Sequence, residues 1–117
     1  MTGNEYQKAA LRTANMDYFT FYERLSNGVM GLCGEAGEVI DIVKKAQFQG
    51  HELDVEHIAE ELGDLAWYMA ITAAAIGKGL DEIFTANVEK LRKRYPDGFD
   101  SERSVHRPEY AGGVCHD

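Results

Sequence analysis

An all-α fold is what the sequence predicts, on three observations. The two prolines, Pro96 and Pro108, both lie in the last quarter of the chain, so nothing before residue 96 forbids helix. Apolar residues recur at the 3.6-residue spacing of a helix face, and no alternating run is long enough to build a sheet. Capping and helix-stopping residues divide the periodic stretches into four. The expected architecture is therefore a four-helix bundle with short connections.

The first helix is expected from about Asn4 to Ala14, with Tyr6, Ala9, Ala10 and Thr13 on one face. An aromatic cluster follows, Tyr18, Phe19, Phe21 and Tyr22, which reads as a packed connector or the wall of a pocket. The second helix starts near Glu23 or Ser26 and runs to Phe48, carried by Leu25, Val29, Leu32, Ala36, Val39, Ile40 and Val43. Gly50 suits the residue just past its end. Asp54 is a good N-cap for the third helix, whose stripe is Val55, Ile58, Leu62, Leu65, Met69, Thr72 and Ile76 before the stop at Gly77 to Gly79. Asp81 can cap the fourth, with Ile83, Phe84, Asn87, Val88 and Leu91 on its inner face; Pro96 disfavours a helical Tyr95 and ends it near Arg94. Residues 1–99 are expected to form one domain, and 100–117 a polar tail.

At 117 residues and net charge −8, the chain is small and acidic. Small size favours assembly with further copies. The acidity argues against a nucleic-acid backbone as partner, which calls for clustered Lys and Arg. It leaves room for a small phosphorylated ligand when a cation bridges the negative charges. Cys33 and Cys115 show no CxxC spacing, so structural zinc is not expected. With no apolar leader and no run of 18 apolar residues, the expectation is a cytoplasmic protein with reduced thiols.

The chemistry concentrates in two short stretches. In GLCGEAGEV, Glu35 and Glu38 are three apart on the second helix; in EELGDLAWYM, Glu61 and Asp64 are three apart on the third. Residues at that spacing share a helix face. Each pair borders an apolar stripe, so antiparallel packing can bring the four carboxylates together across the seam. Four such charges in a low-dielectric setting repel strongly and call for a cation. Oxygen ligands without Cys or His suit a hard ion, Mg²⁺ or Mn²⁺. Glutamates at this spacing also occur on plain solvated faces, and the pairing of two such motifs is what lifts the signal. A di-iron carboxylate bundle would need Glu-x-x-His on two helices, and the nearest spacing here is a single Asp54-x-x-His57. His51, His57, His106 and His116 read as surface or tail residues.

The glycines Gly28, Gly31, Gly34 and Gly37 form a row on the second helix, each at a cost of up to about 1 kcal/mol relative to Ala. The row should be a low ridge where another helix backbone or a ligand approaches. Gly34→Leu or Gly37→Leu is expected to damage packing or activity.

GEAGEVIDIVKK followed by EELGDLAWYM resembles the MazG-like family of all-α nucleoside triphosphate pyrophosphohydrolases. The shared pattern is ExxE, a gap of 22 residues here, then ExxD; NVEKLRKRYPDGF, Asn87 to Phe99, resembles the family's fourth helix and its exit. The resemblance runs from about Gly28 to Phe99. It implies Mg²⁺-dependent hydrolysis of a nucleoside triphosphate to the monophosphate and pyrophosphate, in nucleotide-pool house-cleaning or control. It implies Glu35, Glu38, Glu61 and Asp64 as metal ligands and catalytic residues, and Asn87 and Lys90 as contacts near the substrate. It also implies a homodimer or homotetramer. Lys44, Lys45, Lys90 and Arg94 are then the candidate cations for phosphate charge. For Lys44 and Lys45 the competing reading is a helix C-terminus that favours positive charge. Tyr68, one turn beyond Asp64, could contact base or sugar, or simply pack; Trp67 is similar. Glu60 could assist as a base or be a solvated surface residue. The alternative to an enzyme is a non-catalytic helical module that binds metal-nucleotide or a protein.

Overall fold

A computed structural model describes residues 1–15, 17 and 20–107. Five helices follow one another: α1 (Gly3–Leu11), α2 (Phe21–Phe48), α3 (Val55–Ala75), α4 (Leu80–Arg94) and α5 (Ser101–Val105). There is no strand among the described residues, so the all-α expectation holds. Tyr18, Phe19, Pro108, Cys115 and His116 lie outside the described residues.

The chain divides into two compact units, Met1–Leu80 and Asp81–Asp117. In the first, α2 and α1 each pack on α3. Its helix ends follow local chemistry. Thr2 caps α1 by accepting the Glu5 N–H at 3.0 Å. Thr20 and Glu23 form a reciprocal capping box that starts α2 at Phe21, earlier than the apolar rhythm alone indicates. Asp54 caps α3 through the His57 N–H at 3.0 Å, as expected. Gly50 and Gly77 both adopt φ +74°, the left-handed conformation that stops α2 and α3 where the sequence placed their ends.

The core of this unit is small. Ala10, Ala70, Ile71, Ala73 and Leu80 are its buried apolar residues. Of the stripe residues on α2 and α3, Val29, Ile40, Val43, Val55, Leu62, Met69 and Ile76 remain exposed instead of entering the core. The seam selects small side chains because α2 and α3 approach closely. A Cβ on Gly28 would run into Thr72 Oγ1, and one on Gly31 into the Tyr68 ring.

Polar contacts carry α1. Buried Gln7 donates from Nε2 to the carbonyls of Ala70 (3.1 Å) and Lys78 (3.0 Å), and its Oε1 accepts the Leu80 N–H at 3.1 Å. Trp67 Nε1–H, on α3, donates to Thr13 Oγ1 at 2.8 Å and to the Ala10 carbonyl at 3.2 Å. Trp67 thus holds α1 against α3. Replacing Gln7 by Leu leaves the buried Leu80 N–H without this acceptor. A loss of about 2 kcal/mol is expected, read as a lower midpoint in urea denaturation; an unchanged midpoint would show that water replaces the clamp.

In the second unit, α4 is followed by α5, a short helix within the stretch expected to be a plain polar tail. Asp100 caps it through the Glu102 N–H at 2.9 Å. Arg103 turns back, its Nε donating to the Arg94 carbonyl at 2.7 Å and its Nη2 to that of Lys93 at 3.4 Å. A cation on the last carbonyls of α4 is a favourable helix end.

Candidate metal centre

The helix seam that seats Gly28 beside Thr72 and Gly31 beside Tyr68 continues into the carboxylates. One turn further along α2 comes Glu35, then Glu38; one turn back along α3 come Asp64, then Glu61. Glu35, Glu38 and Glu61 each offer an oxygen, and the three oxygens lie within 4.8 Å of one another. Glu61 is buried, Glu35 half-buried and Glu38 exposed. The triplet is therefore a shelf between two helices, open on the Glu38 side.

Asp64 stands outside this triplet and is exposed, but its charge reaches the site. Glu35 has its pKa pushed up from 4.5 to about 7, first by a hydrogen bond with Glu61, then by burial, then by the charges of Glu61 and Asp64. A carboxyl that holds its proton this way lacks a countercharge. Tyr6 of α1 has a raised pKa from burial and from the charge of Asp64. It sits near that carboxylate, a neighbour that sequence reading did not supply.

Glu61 carries the sharpest signal. With Glu35 ionised, Oε1 of Glu61 accepts from His57 Nε2 at 3.2 Å, while its Oε2 is buried and has no donor; the proton on Glu35 is what otherwise hydrogen-bonds this carboxylate. Buried carboxylate oxygens are normally partnered. An orphaned one on a residue whose carboxylate converges with two others fits a bound cation, and an all-oxygen donor set fits a hard one. His57 is exposed, as a surface residue should be; its contact with Glu61 is what sequence reading missed, and the four-residue spacing was the available clue.

An open cavity of about 630 Å³ adjoins the triplet, its wall including Glu38, Asp41, Lys45, His51, Asp54 and His57. Gly34 and Gly37 also border it, and a Cβ on either would meet nothing within 4 Å. Of the two approaches expected at these glycines, that of a helix backbone is not made among the described residues, and that of a ligand stays open. The close approach belongs to Gly28 and Gly31, and the other two leave space beside the carboxylates.

The remaining candidates are placed as follows. Lys45 Nζ is 2.9 Å and Lys44 Nζ 3.7 Å from the Asp41 carboxylate, whose pKa is lowered first by the Lys45 hydrogen bond. Both lysines are thus engaged at the end of α2, and Lys45 borders the cavity. The Tyr68 ring lies over Gly31 and edge-on to Trp67, with centroids 5.0 Å apart. Glu60 is exposed. On α4, Asn87 and Lys90 are exposed and Arg94 is buried. Cys33 is a free, exposed thiol. No described helix is long and apolar enough to cross a membrane.

Comparison with known proteins agrees with this geometry. Gene 37 protein of Mycobacterium phage L5 is 35% identical over 80 residues, covering 65% of this chain and 70% of that protein. No solved structure matches. The MazG nucleotide pyrophosphohydrolase domain matches residues 25–99, which span both carboxylate pairs and α4. With well over half of the chain matched, and with the ExxE and ExxD motifs meeting at one seam, the protein belongs to the MazG nucleotide pyrophosphohydrolase family.

Proposed function

We propose that the protein is a Mg²⁺-dependent nucleoside triphosphate pyrophosphohydrolase, with Mn²⁺ as a working substitute, and that residues 1–99 form its catalytic domain. The observation that carries the metal dependence is Glu61, which keeps a buried oxygen, Oε2, without a donor and offers an oxygen within 4.8 Å of those of Glu35 and Glu38. These three residues would hold the ion, with Asp64 adding its charge. A magnesium ion there supplies a charge bridge to phosphate and a more acidic water. The chain itself supplies convergence: two helices hold the carboxylates together before any ligand arrives.

In the reaction, water attacks the α-phosphorus, the bond to the bridging oxygen breaks, and pyrophosphate leaves. The adjoining cavity, about 630 Å³, is of a size that accepts a nucleotide. Its wall includes Glu38, Asp41, Glu52 and Asp54 against Lys45, His51 and His57. Such a lining repels bare phosphate and favours a nucleotide that arrives with its cation. Asn87 and Lys90 are assigned phosphate contacts on their match to the family's motif. Arg94, Lys44, Lys45 and Tyr68 are further proposed substrate contacts; Arg94 is buried, and both lysines engage Asp41 before a ligand arrives.

A homodimer or homotetramer belongs to the same reading. Of the 28 residues of α2, Gly28 is the one that is buried, while Val29, Met30, Ile40, Val43 and Phe48 are exposed. A helix that apolar needs a further surface to cover it.

The test is pyrophosphate release from a panel of ordinary and damaged nucleoside triphosphates with Mg²⁺ or Mn²⁺, using material whose mass is measured by light scattering. Release is expected from at least one nucleotide, and Glu38→Gln and Asp64→Asn should abolish it. A purified oligomer that releases no pyrophosphate from any of them would overturn the activity; a 13.1 kDa particle would overturn the assembly.

A further inference from the structure

We propose that His57 is a positioning residue for the metal centre: its imidazole N–H holds Glu61 Oε1, so that the opposite oxygen, Oε2, is presented to the cation. This rests on the metal-dependent reading above and goes beyond it, because it names a residue outside the carboxylate motifs.

Four observations carry it. First, the contact is not a loose surface pair. Glu61 is 8% exposed, and His57 Nε2 lies 3.2 Å from its Oε1. With the carboxyls ionised, no other described donor reaches either oxygen of Glu61. Second, the division of labour between the two oxygens is complete: Oε1 has a donor, Oε2 is buried with none. A donor on Oε1 limits rotation of the carboxylate and leaves Oε2 as the oxygen available to a cation. Third, His57 is itself anchored. Its backbone N–H is taken by the Asp54 cap at 3.0 Å, and its ring reaches Glu61 along one turn of α3. Asp54, His57 and Glu61 thus form a short chain from the helix start to the metal oxygens. Fourth, the imidazole is not part of the group whose ligand atoms converge within 4.8 Å. It stands beside the ion site, where an outer partner orients a ligand, and it borders the cavity.

The ring is roughly half exposed, with a side-chain accessibility of 46%. Removing it should therefore leave the fold intact. His57→Ala loses the donor, His57→Leu loses the donor but keeps bulk, and His57→Gln can restore an amide donor on the same turn.

The experiment is a thermal-melt titration of the full chain with Mn²⁺ alone, at fixed pH, beside pyrophosphate release under the same conditions. In the absence of metal, the variants should melt close to the wild type. The Mn²⁺ concentration giving half of the stabilisation should rise about 10- to 100-fold in His57→Ala and His57→Leu, the scale seen for outer-sphere partners. His57→Gln should lie nearer the wild type, and turnover in the Ala and Leu variants should recover at high Mn²⁺. A wild-type midpoint in both would overturn the role, as would a lower melt without metal and no change in the midpoint. Nitrogen coupling from ¹⁵N-labelled histidine in the Mn²⁺ spectrum would make His57 a ligand instead and also overturn it. A wild-type protein that does not respond to Mn²⁺ at all would remove the metal reading itself, and His57's role with it.

Discussion

Glu61→Gln is expected to melt at the same or a higher temperature than the wild type in EDTA, to lose its response to Mg²⁺, and to lose pyrophosphate release by about 10²–10³-fold or more. The two effects have one cause. In the metal-free site, Glu61 stands with Glu35 and Glu38 within 4.8 Å, with the charge of Asp64 acting on the same place. Converting one carboxylate to an amide removes part of this repulsion and keeps the shape. The new amide can donate toward Glu35, and its oxygen can still accept from His57. The same change deletes the buried anionic oxygen that fits a cation. Stability gained where function is lost is a common mark of a site built for a ligand. A variant that melts well below the wild type in EDTA would show that Glu61 is a structural residue.

The sign of the pH effect follows from Glu35. Its pKa in the fold is about 7 against an ordinary 4.5, raised first by the hydrogen bond with Glu61. A raised value means that folding favours the protonated form. The contribution to stability is present below about 4.5 and is lost as pH rises through about 7. The metal-free wild type should therefore weaken across that window, and Glu61→Gln should weaken less. A cation competes with the same proton, so Mg²⁺ should stabilise the wild type little at the acid end of the window and fully above it.

Much of this site was legible because the helix period ties sequence spacing to a face. Glu35 with Glu38, and Glu61 with Asp64, had to share faces once both stretches were helical, and Asp54 and Gly50 marked where α2 and α3 stop and start. Three features were hidden for a physical reason. The depth of Glu61 depends on the rotation of α3 about its axis, which the seam with α2 sets. His57 is the exposed histidine it looked like, but its hold on a buried Glu61 did not show, although the spacing was in plain view. Gln7 is polar, and a polar residue on an amphipathic helix reads as solvent-facing until its partners, the Ala70 and Lys78 carbonyls, are known. The α5 turn is too short to show any periodicity, and its link to α4 runs through one arginine. The exposed apolar stripe of α2 is another kind of miss: the periodicity identified a surface to be covered, and among the described residues it stays exposed.

The glycine row makes the same distinction testable, with opposite signs at neighbouring turns. Gly31→Leu is expected to destabilise the protein by about 3 kcal/mol, because even a Cβ at this position enters the Tyr68 ring. Tyr68 cannot move aside cheaply, since its ring packs edge-on against Trp67, and Trp67 is itself tied to Thr13 and Ala10. The displacement would pass to α1 and, along the seam, to Glu35 on the next turn of α2. Gly34→Ala should do the reverse to stability. Its Cβ meets nothing within 4 Å, and its backbone is ordinary helix, so the better helix former gains up to about 1 kcal/mol. Gly34 nevertheless borders the cavity beside Glu38. Gly34→Leu should therefore fold well and lose activity by filling space a nucleotide needs, with KM rising more than kcat falls. Denaturant midpoints for all three variants, read beside KM and kcat, separate the two halves of the row. Equal destabilisation at Gly31 and Gly34 would show that the second half, too, is packed against something, and the candidate would be another copy of this chain.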